Sequence, residues 1–287
     1  MNATKSALTL FIALAYGPSQ GFAAPILGPE LASFAVLGGT TVTNTGATTL
    51  TGNLGVGPGS AITGKATITV NGTNAATIGN PSVHEADAFS VLAQSQLASA
   101  MTNLGLLGPG TLLGVDLAGL TLTPGVYTVL AGISNLTGTL TLDGLGNANA
   151  AWVFQMPSTL ITSSGSIVNM INAGPGAGLF WDVGTSATLG TTTSFAGNIL
   201  ALTSITLNHG ATIGCGSAAA HNGAVTMDAN TVGCLGTHLS GGLTVPVGGG
   251  TPTFLPFAPV PEPSTFLLLG FGLAGLLGYR KKFAAVA

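Results

Sequence analysis

One short pattern recurs in the second half of the chain as Thr185-Ser-Ala-Thr-Leu189, Thr203-Ser-Ile-Thr-Leu207 and Gly223-Ala-Val-Thr-Met227. Successive copies start 18 and 20 residues apart, and a second short element follows each one after a polar turn. The second elements are Thr193-Ser-Phe195, Ala211-Thr-Ile213 and Asn230-Thr-Val232. Short β-branched segments that recur at this interval, with glycine between them, are typical of a solenoid in which each repeat forms one coil.

A third apolar piece completes each repeat, as in Trp152-Val-Phe154, Leu179-Phe-Trp181 and Asn198-Ile-Leu200. The pattern therefore predicts three strands per coil and coils stacked at the spacing of paired strands, about 4.8 Å. Equivalent positions then form ladders, with Leu, Ile, Val and Phe inside. We expect two outward ladders on one flat face: Thr188, Thr206 and Thr226 in the first, and Ser194, Thr212 and Thr231 in the second.

The cysteines support the same period. Cys215 and Cys234 are 19 residues apart, which is about one coil. An even number of cysteines in an exported protein favours a disulfide. We therefore expect a bridge between neighbouring coils.

The N-terminal half is solenoid-like as well, as in Thr40-Thr-Val-Thr-Asn-Thr45, but one helical segment interrupts it. Ser82 and Glu85 match a capping box, and a stripe of apolar residues follows, which predicts a helix over about 82–104 that ends at Gly105. The stripe should pack along the solenoid. It consists of Phe89, Ala93, Leu97, Ala100 and Leu104, whereas Gln94, Ser95, Ser99 and Asn103 should face water.

Both ends of the chain resemble processing signals. Residues 1–23 have a positive charge at Lys5, an apolar stretch and a small-x-small site at Gly21-Phe-Ala23, which predicts a secretory signal peptide. The other end has Val260-Pro-Glu-Pro-Ser-Thr265, an apolar run and then three basic residues, and it resembles the PEP-CTERM sorting signal. That resemblance implies an exosortase-type membrane protease as partner, membrane contact only through this tail, and the cell surface or exterior of a Gram-negative bacterium.

The scarcity of charge excludes several functions. Only 5% of residues are charged, and between residues 24 and 259 the chain has one lysine, Lys65, and no arginine. Nucleic-acid binding needs several cations, and a polysaccharide lyase of solenoid fold would need a strong base. The acidic residues of this region show no repeat-related pairing for glycoside hydrolysis, and the four histidines have no metal-ligand spacing. We therefore predict no enzyme activity, no cofactor and no metal.

Several motifs are similar to those of the microbial ice-binding protein family. They are Leu27-Gly-Pro-Glu-Leu-Ala-Ser-Phe-Ala-Val36, Leu54-Gly-Val-Gly-Pro-Gly59, Leu122-Thr-Pro-Gly-Val-Tyr127 and Gly197-Asn-Ile-Leu-Ala-Leu-Thr-Ser-Ile-Thr206. The resemblance implies a mostly β fold: a right-handed, discontinuous β-solenoid with three faces and one long α-helix packed alongside. The predicted organisation is a solenoid domain over 24–240, a Gly/Pro/Thr linker over 241–259 and the sorting segment over 260–287.

For function, the resemblance implies adsorption to ice through a flat face rich in Thr and Ser. Family members often present Thr-Ala/Gly-x-Thr/Asn steps on that face. Thr45-Gly-Ala-Thr48 matches the step, which makes Thr45 and Thr48 an alternative contact, whereas His209-Gly-Ala-Thr212 and Thr191-Thr-Thr-Ser194 depart from it. Since Thr is also a good strand residue, a structural or adhesive extracellular matrix solenoid without ice affinity is the alternative function.

Overall fold

Short parallel strands carry the chain repeatedly around a common core. The computed structural model describes residues 23–131, 135–234, 238–246 and 249–260. Its elements up to the long helix are β1 Ala24–Pro25, α1 Pro29–Ala32, β2 Phe34–Gly38, β3 Thr41–Thr45, β4 Thr48–Leu50, β5 Asn53–Val56, β6 Ala61–Thr63, a 3-10 helix Lys65–Thr67, β7 Ile68–Val70, β8 Thr73–Asn74, β9 Val83–Glu85 and α2 Ala88–Gly105.

The strands after the helix are β10 Thr111–Leu113, β11 Thr121–Leu122, β12 Gly125–Val129, β13 Thr139–Asn147, β14 Ala151–Met156, β15 Leu160–Ile161, β16 Ile167–Ala173, β17 Gly178–Val183, β18 Ala187–Leu189, β19 Ser194–Phe195, β20 Asn198–Ala201, β21 Ile205–Leu207, β22 Thr212–Ile213, β23 Ala218–Ala220, β24 Val225–Asp228, β25 Thr231–Val232, β26 Leu243–Val245 and β27 Thr253–Phe254. No helix among the described residues is long and apolar enough to cross a bilayer.

Three sheets form the sides of the solenoid. We name them by chain order within a coil: sheet 1 is β10-β12-β14-β17-β20-β23-β2-β5-β9, sheet 2 is β15-β18-β21-β24-β3-β6, and sheet 3 is β11-β13-β16-β19-β22-β25-β4-β7-β8. Their strands pair in parallel except at the β7–β8 end. The predicted three-faced β-solenoid is therefore confirmed.

The order of the coils in space differs from their order in the chain. The first coil, β2 to β4, pairs with the coil β23 to β25, with Val36 in register with Ala218 and Thr43 in register with Thr226. The helix α2 joins the two ends of the stack, because β9 and β10 are the opposite edge strands of sheet 1. This arrangement is the predicted discontinuity.

The interior is filled by stacked apolar ladders. Tyr127, Phe154 and Trp181 occupy the same register position on three neighbouring strands, and the rings of Phe154 and Trp181 stack with their centroids 4.1 Å apart. Phe195 packs next to Trp181 at 4.9 Å. Burial of such large side chains is the main source of stability in a fold of this kind.

A second apolar cluster joins α2 to the outer side of sheet 1. Leu97 and Leu104 are fully buried and belong to the same cluster as Phe180 and Leu200 of sheet 1. The predicted packing of the helix along one solenoid face is therefore confirmed. It also means that sheet 1 is covered, so the sheets with accessible outer sides are sheets 2 and 3.

The predicted start of the helix and its predicted polar side are both partly wrong. The helix begins at Ala88, and Asp87 is its N-cap, with the Asp87 carboxylate accepting a 2.8 Å hydrogen bond from the Ser90 amide. The segment around Ser82 and Glu85 is strand β9, because the edge of β5 provides backbone partners for it. Gln94, expected to face water, is buried and donates to the Ala220 carbonyl at 3.1 Å.

The predicted disulfide is present between Cys215 and Cys234. The predicted linker over 241–259 packs on the solenoid: β26 pairs with β1 and β27 in a small antiparallel sheet, and Leu243 is buried. The predicted signal peptide (except Ala23) and the sorting segment (except Val260) lie outside the described residues.

Candidate functional site

The first predicted ladder lies on sheet 2. Its central members occupy one register position on successive strands, and the ladder extends beyond the predicted residues at both ends. The Thr206 ladder, as we name it, consists of Ile161, Thr188, Thr206, Thr226, Thr43 and Thr63. All of these side chains are exposed or half-buried. The structure therefore places five threonines in one unbroken row.

The second predicted ladder lies on sheet 3 and is longer. The Thr212 ladder consists of Thr139, Ile167, Ser194, Thr212, Thr231, Thr49 and Thr69. Five of these side chains are exposed, and those of Thr212 and Thr69 are half-buried. Neighbouring members are separated by the strand spacing of about 4.8 Å.

The prediction that both ladders share one face is wrong, because they belong to different sheets. In the central coil a turn separates them, closed by a 3.0 Å hydrogen bond from the Ala211 amide to the Asn208 carbonyl. Gly210 has φ +69 there, and Thr192 takes the same left-handed conformation one coil earlier, with φ +55. The sequence did not reveal this corner, because in the preceding coil it lies within the uniform run Thr191-Thr-Thr-Ser194.

The alternative contact through Thr45 and Thr48 is also corrected. Thr48 is buried, and its hydroxyl donates to Asn44 Oδ1 at 2.7 Å. The residue in register with Thr231 is Thr49. The step at 45–48 starts one residue earlier in its coil than the step at 209–212, so Thr48 faces the core and only Thr45 is exposed.

Sequence reasoning missed the N-terminal members of both ladders, namely Thr43, Thr63, Thr49 and Thr69. A usable signal was present. Thr43 and Thr49 are six residues apart, and so are Thr63 and Thr69, which equals the spacing of Thr206 and Thr212. This spacing indicates that these threonines occupy ladder positions, but it does not show which coils are neighbours. The neighbouring coils join residues 183 positions apart, such as Thr43 and Thr226, and a local repeat cannot reveal that pairing.

Buried polar side chains support the corners beneath the ladders. Asn230 donates to the carbonyls of Asn208 and Ala211, each at 2.9 Å. In a coil further along, the hydroxyls of Thr162 and Thr193 lie 3.0 Å apart and are both buried. Satisfied buried groups of this kind fix the backbone, so the corners hold the two ladders in place.

The surroundings of the two ladders differ in charge. Positions two residues before and after the Thr212 ladder are uncharged from β19 to β7. The preceding positions are Thr192, Gly210, Ala229, Ala47 and Thr67, and the following ones are Ala196, Gly214, Gly233, Thr51 and Asn71. The row two residues after the Thr206 ladder includes Asp228 and Lys65. An oxygen of the Asp228 carboxylate lies 3.1 Å from His209 Nδ1. Lys65 forms an ion pair with Glu85 at 3.0 Å.

The titratable side chains are dispersed over the molecule. Within the described ranges, no three His, Cys, Asp or Glu side chains lie close enough together to hold a metal ion. Asp116 and Asp143 serve local turns, where Asp116 accepts from Thr137 and Asp143 accepts from Leu145. Burial raises the pKa of Asp182 to about 6, and this group lies on sheet 1, away from both ladders.

Comparison with known proteins agrees with this architecture. An ice-binding protein of Nostoc sp. (strain HG1) is 47% identical over 254 residues, covering 88% of this chain and 85% of that protein. An ice-binding protein of Flavobacterium frigoris (strain PS1) is 33% identical, covering 70% of this chain and 73% of its own length. The crystal structure of an ice binding protein from an Antarctic biological consortium superposes with a TM-score of 0.64 at 36% identity, covering 80% of this chain and 95% of that one.

Two family descriptions match the chain directly. Residues 259–282 match the PEP-CTERM protein-sorting motif, which confirms the predicted C-terminal signal. Residues 36–233, which include the strands of all three solenoid sheets apart from the first two residues of β2, match the family described as Ice-binding-like. With this match over more than half of its length and a relative 47% identical, the chain belongs to the ice-binding-like family.

Proposed function

We propose that this chain is an exported protein that adsorbs to ice through the outer side of sheet 3. The observation that supports the proposal most directly is the Thr212 ladder from Ser194 to Thr69, in which five hydroxyl side chains follow one another in strict register. Relatives named as ice-binding proteins support the same function.

The chemistry of threonine suits this role. Its hydroxyl anchors a water molecule by donating one hydrogen bond and accepting others, and its methyl group leaves a shallow apolar hollow beside that water. The β-branch restricts χ1, so that the row stays ordered without a large entropy loss on contact. A rigid parallel sheet repeats the arrangement at each strand.

Sheet 3 is favoured over sheet 2 as the ice contact because the side chains beside its ladder are uncharged and mostly small. An ammonium or carboxylate group holds a strongly oriented hydration shell, which conflicts with a continuous lattice of water. The rows beside the Thr212 ladder contain only small or uncharged side chains, whereas Asp228 and Lys65 lie in the row beside the Thr206 ladder. Sheet 1 is covered by α2.

The processing of the chain follows from its ends. We propose that residues 1–23 direct export, that 24–240 form the functional domain, that 241–259 connect it to the tail, and that an exosortase-type protease acts at the sorting segment 260–287. The PEP-CTERM match supports this route. The destination is then the exterior or surface of a Gram-negative cell, with membrane contact only through the tail. Adsorption needs no chemistry, and we propose no enzymatic role.

The test is direct. The purified exported protein should produce thermal hysteresis, shape ice crystals and inhibit recrystallisation at micromolar concentration. Fluorescently labelled protein should bind to defined planes of a single ice crystal. A folded protein that shows none of these effects would contradict the proposal and favour the structural or adhesive matrix function, for which the comparisons give no support.

A further inference from the structure

A cavity of about 390 Å³ lies where the helix α2 ends. Its walls come from the segment that follows the helix and from the outer side of sheet 1. The lining residues include Gly105, Pro109, Thr128, Gln155, Pro157 and Asp182. It lies on the helix side of the solenoid and is therefore separate from both hydroxyl ladders.

Asp182 is the charged residue of this cavity. On β17 the side chains alternate, so that Trp181 and Val183 belong to the solenoid core while Phe180 belongs to the helix-facing cluster. Asp182 shares the outward side with Phe180. Its register partners are Gln155 on one neighbouring strand and Leu200 on the other. The carboxylate is therefore held at the helix side of the sheet by rigid β-structure.

The polar neighbours of Asp182 are occupied with one another. Thr128 Oγ1 donates to Gln155 Oε1 at 3.3 Å, and Gln155 Nε2 donates to the carbonyl of Leu104 at 3.0 Å. Among the hydrogen bonds and ion pairs formed by the described residues, none involves the Asp182 carboxylate. Gln155 thus shapes the wall of the cavity and leaves the carboxylate facing the open volume.

Within the described part of the chain, no lysine or arginine neutralises the Asp182 carboxylate. Lys65 is the only Lys or Arg between residues 24 and 259, and it pairs with Glu85. The end of the helix that contributes Gly105 is the C-terminal one, where the helix dipole is negative and attracts cations. Burial raises the pKa of Asp182 to about 6, so the group is still ionised at neutral pH. The cavity therefore presents an uncompensated negative charge.

We propose that this cavity binds a small organic ammonium ion, with its nitrogen on the Asp182 carboxylate and its carbon chain against Pro109 and Pro157. A single carboxylate is a poor site for Ca²⁺, which takes six to eight oxygen ligands, and the other side-chain oxygens here already accept or donate hydrogen bonds. The two proline rings favour a ligand with carbon on one side and charge on the other. This site is independent of ice adsorption.

The test uses n-butylammonium chloride as the probe, titrated into the full exported protein at pH 7.5 by isothermal calorimetry. We expect saturable binding that Asp182→Asn weakens by about tenfold or more, because a charge-assisted hydrogen bond is lost. Asp143→Asn is the matched control: it removes the same charge from sheet 3 and should leave binding unchanged. Equal concentrations of n-butanol and of sodium chloride should give no saturable heat.

A second variant protects the test against a misfolded Asp182→Asn protein. A Cβ added at Gly105 would meet no atom within 4 Å, so Gly105→Trp can place an indole over the cavity without backbone strain, and it should abolish binding while Asp182 is intact. The proposal is overturned if the wild type does not bind the probe at millimolar concentration. It is equally overturned if sodium chloride competes on equal terms, or if both variants bind like the wild type.

Discussion

Thr206 and Thr212 are six residues apart in one coil, yet they lie in different sheets, each in register with a threonine of the next coil. Because the two threonines lie on different sheets, one substitution on each sheet can show which sheet contacts ice. We expect Thr212→Tyr to abolish most of the thermal hysteresis, because a bulky ring would lift sheet 3 from a planar lattice. Thr206→Tyr should leave hysteresis nearly unchanged, and both variants should keep their stability within about 0.5 kcal/mol.

Urea unfolding of both variants is the control for this comparison. If only Thr206→Tyr loses activity, the contact lies on sheet 2. If neither loses activity in a folded protein, neither hydroxyl ladder contacts ice.

The packing of the helix predicts a large difference between two leucines on α2. Leu97 is fully buried against sheet 1, whereas Leu92 is 47% exposed. Leu97→Asp places an unpaired charge in the apolar cluster and should cost on the order of 4 kcal/mol or prevent folding. Leu92→Asp should change the free energy of unfolding by less than about 0.5 kcal/mol. Equal denaturation midpoints for the two variants would be incompatible with the observed helix orientation.

The N-cap of α2 can be tested against the capping box expected from the sequence. Asp87→Ala removes the hydrogen bond to the Ser90 amide and should destabilise the protein by about 1 kcal/mol. Ser82→Ala removes only a bond between exposed side chains, with Asn71, and its effect should stay within about 0.5 kcal/mol. Chemical denaturation of both variants measures the difference, and the opposite ranking would restore Ser82 as the cap.

The disulfide should stabilise the coils it joins. Cys215 and Cys234 close a loop with a sequence separation of 19 residues. In the chain-entropy description a loop of this size contributes about 3 kcal/mol. Replacing both cysteines by serine should therefore lower the urea midpoint clearly, and wild-type protein treated with a reductant should shift in the same direction. Titration of free thiols in the exported protein checks that the bond forms.

Removing the half-buried Asp182 carboxylate should stabilise the protein at neutral pH. Burial raises the pKa of Asp182 to about 6 in the folded protein, from an ordinary value of 3.8. The folded state therefore binds more protons than the unfolded one between these values, and stability falls as the pH rises from about 4 to 6. Since one pKa unit corresponds to about 1.4 kcal/mol, Asp182→Asn should stabilise the protein at pH 7.5 by at most about 3 kcal/mol.

The same substitution should have no stabilising effect near pH 2.5, where the carboxyl group is protonated in both states. Parallel thermal melts of wild type and variant across this range test the sign. A variant that is less stable than the wild type at pH 7.5 would mean that the carboxylate has a structural partner.

The parts of the fold that follow a local period could be predicted from the sequence. The 18- to 20-residue recurrence placed Thr188, Thr206 and Thr226 in one ladder because consecutive coils keep nearly the same length. The cysteine spacing agreed with that period. The third apolar strand of each coil, as in Leu179-Phe-Trp181, could be placed for the same reason.

Two kinds of feature could not be predicted: pairing between strands that are distant in sequence, and segments that could form either a helix cap or a strand. Thr49 joins Thr231 across a break in coil order, which leaves no trace in neighbouring sequence. Ser82 and Glu85 match a helix cap, but strand β5 offers them a better set of backbone partners. The isolation of Asp182 depends on where the helix ends relative to sheet 1, and side-chain alternation alone does not give that position.

The break in coil order also determines when the solenoid can finish folding. The first coil, which contains Val36 and Thr43, finds its inner partner only in residues 218–232. Whether the chain emerges from a ribosome or from a translocation channel, about 180 residues must pass before that pairing is possible. Contacts this remote in sequence slow folding. Until then the early strands, which are rich in β-branched residues, have one unpaired edge. Charge-poor strands with an unpaired edge aggregate readily. The stack can therefore close only after the last coil has been made, and a chaperone that shields the first coil should raise the yield of soluble protein.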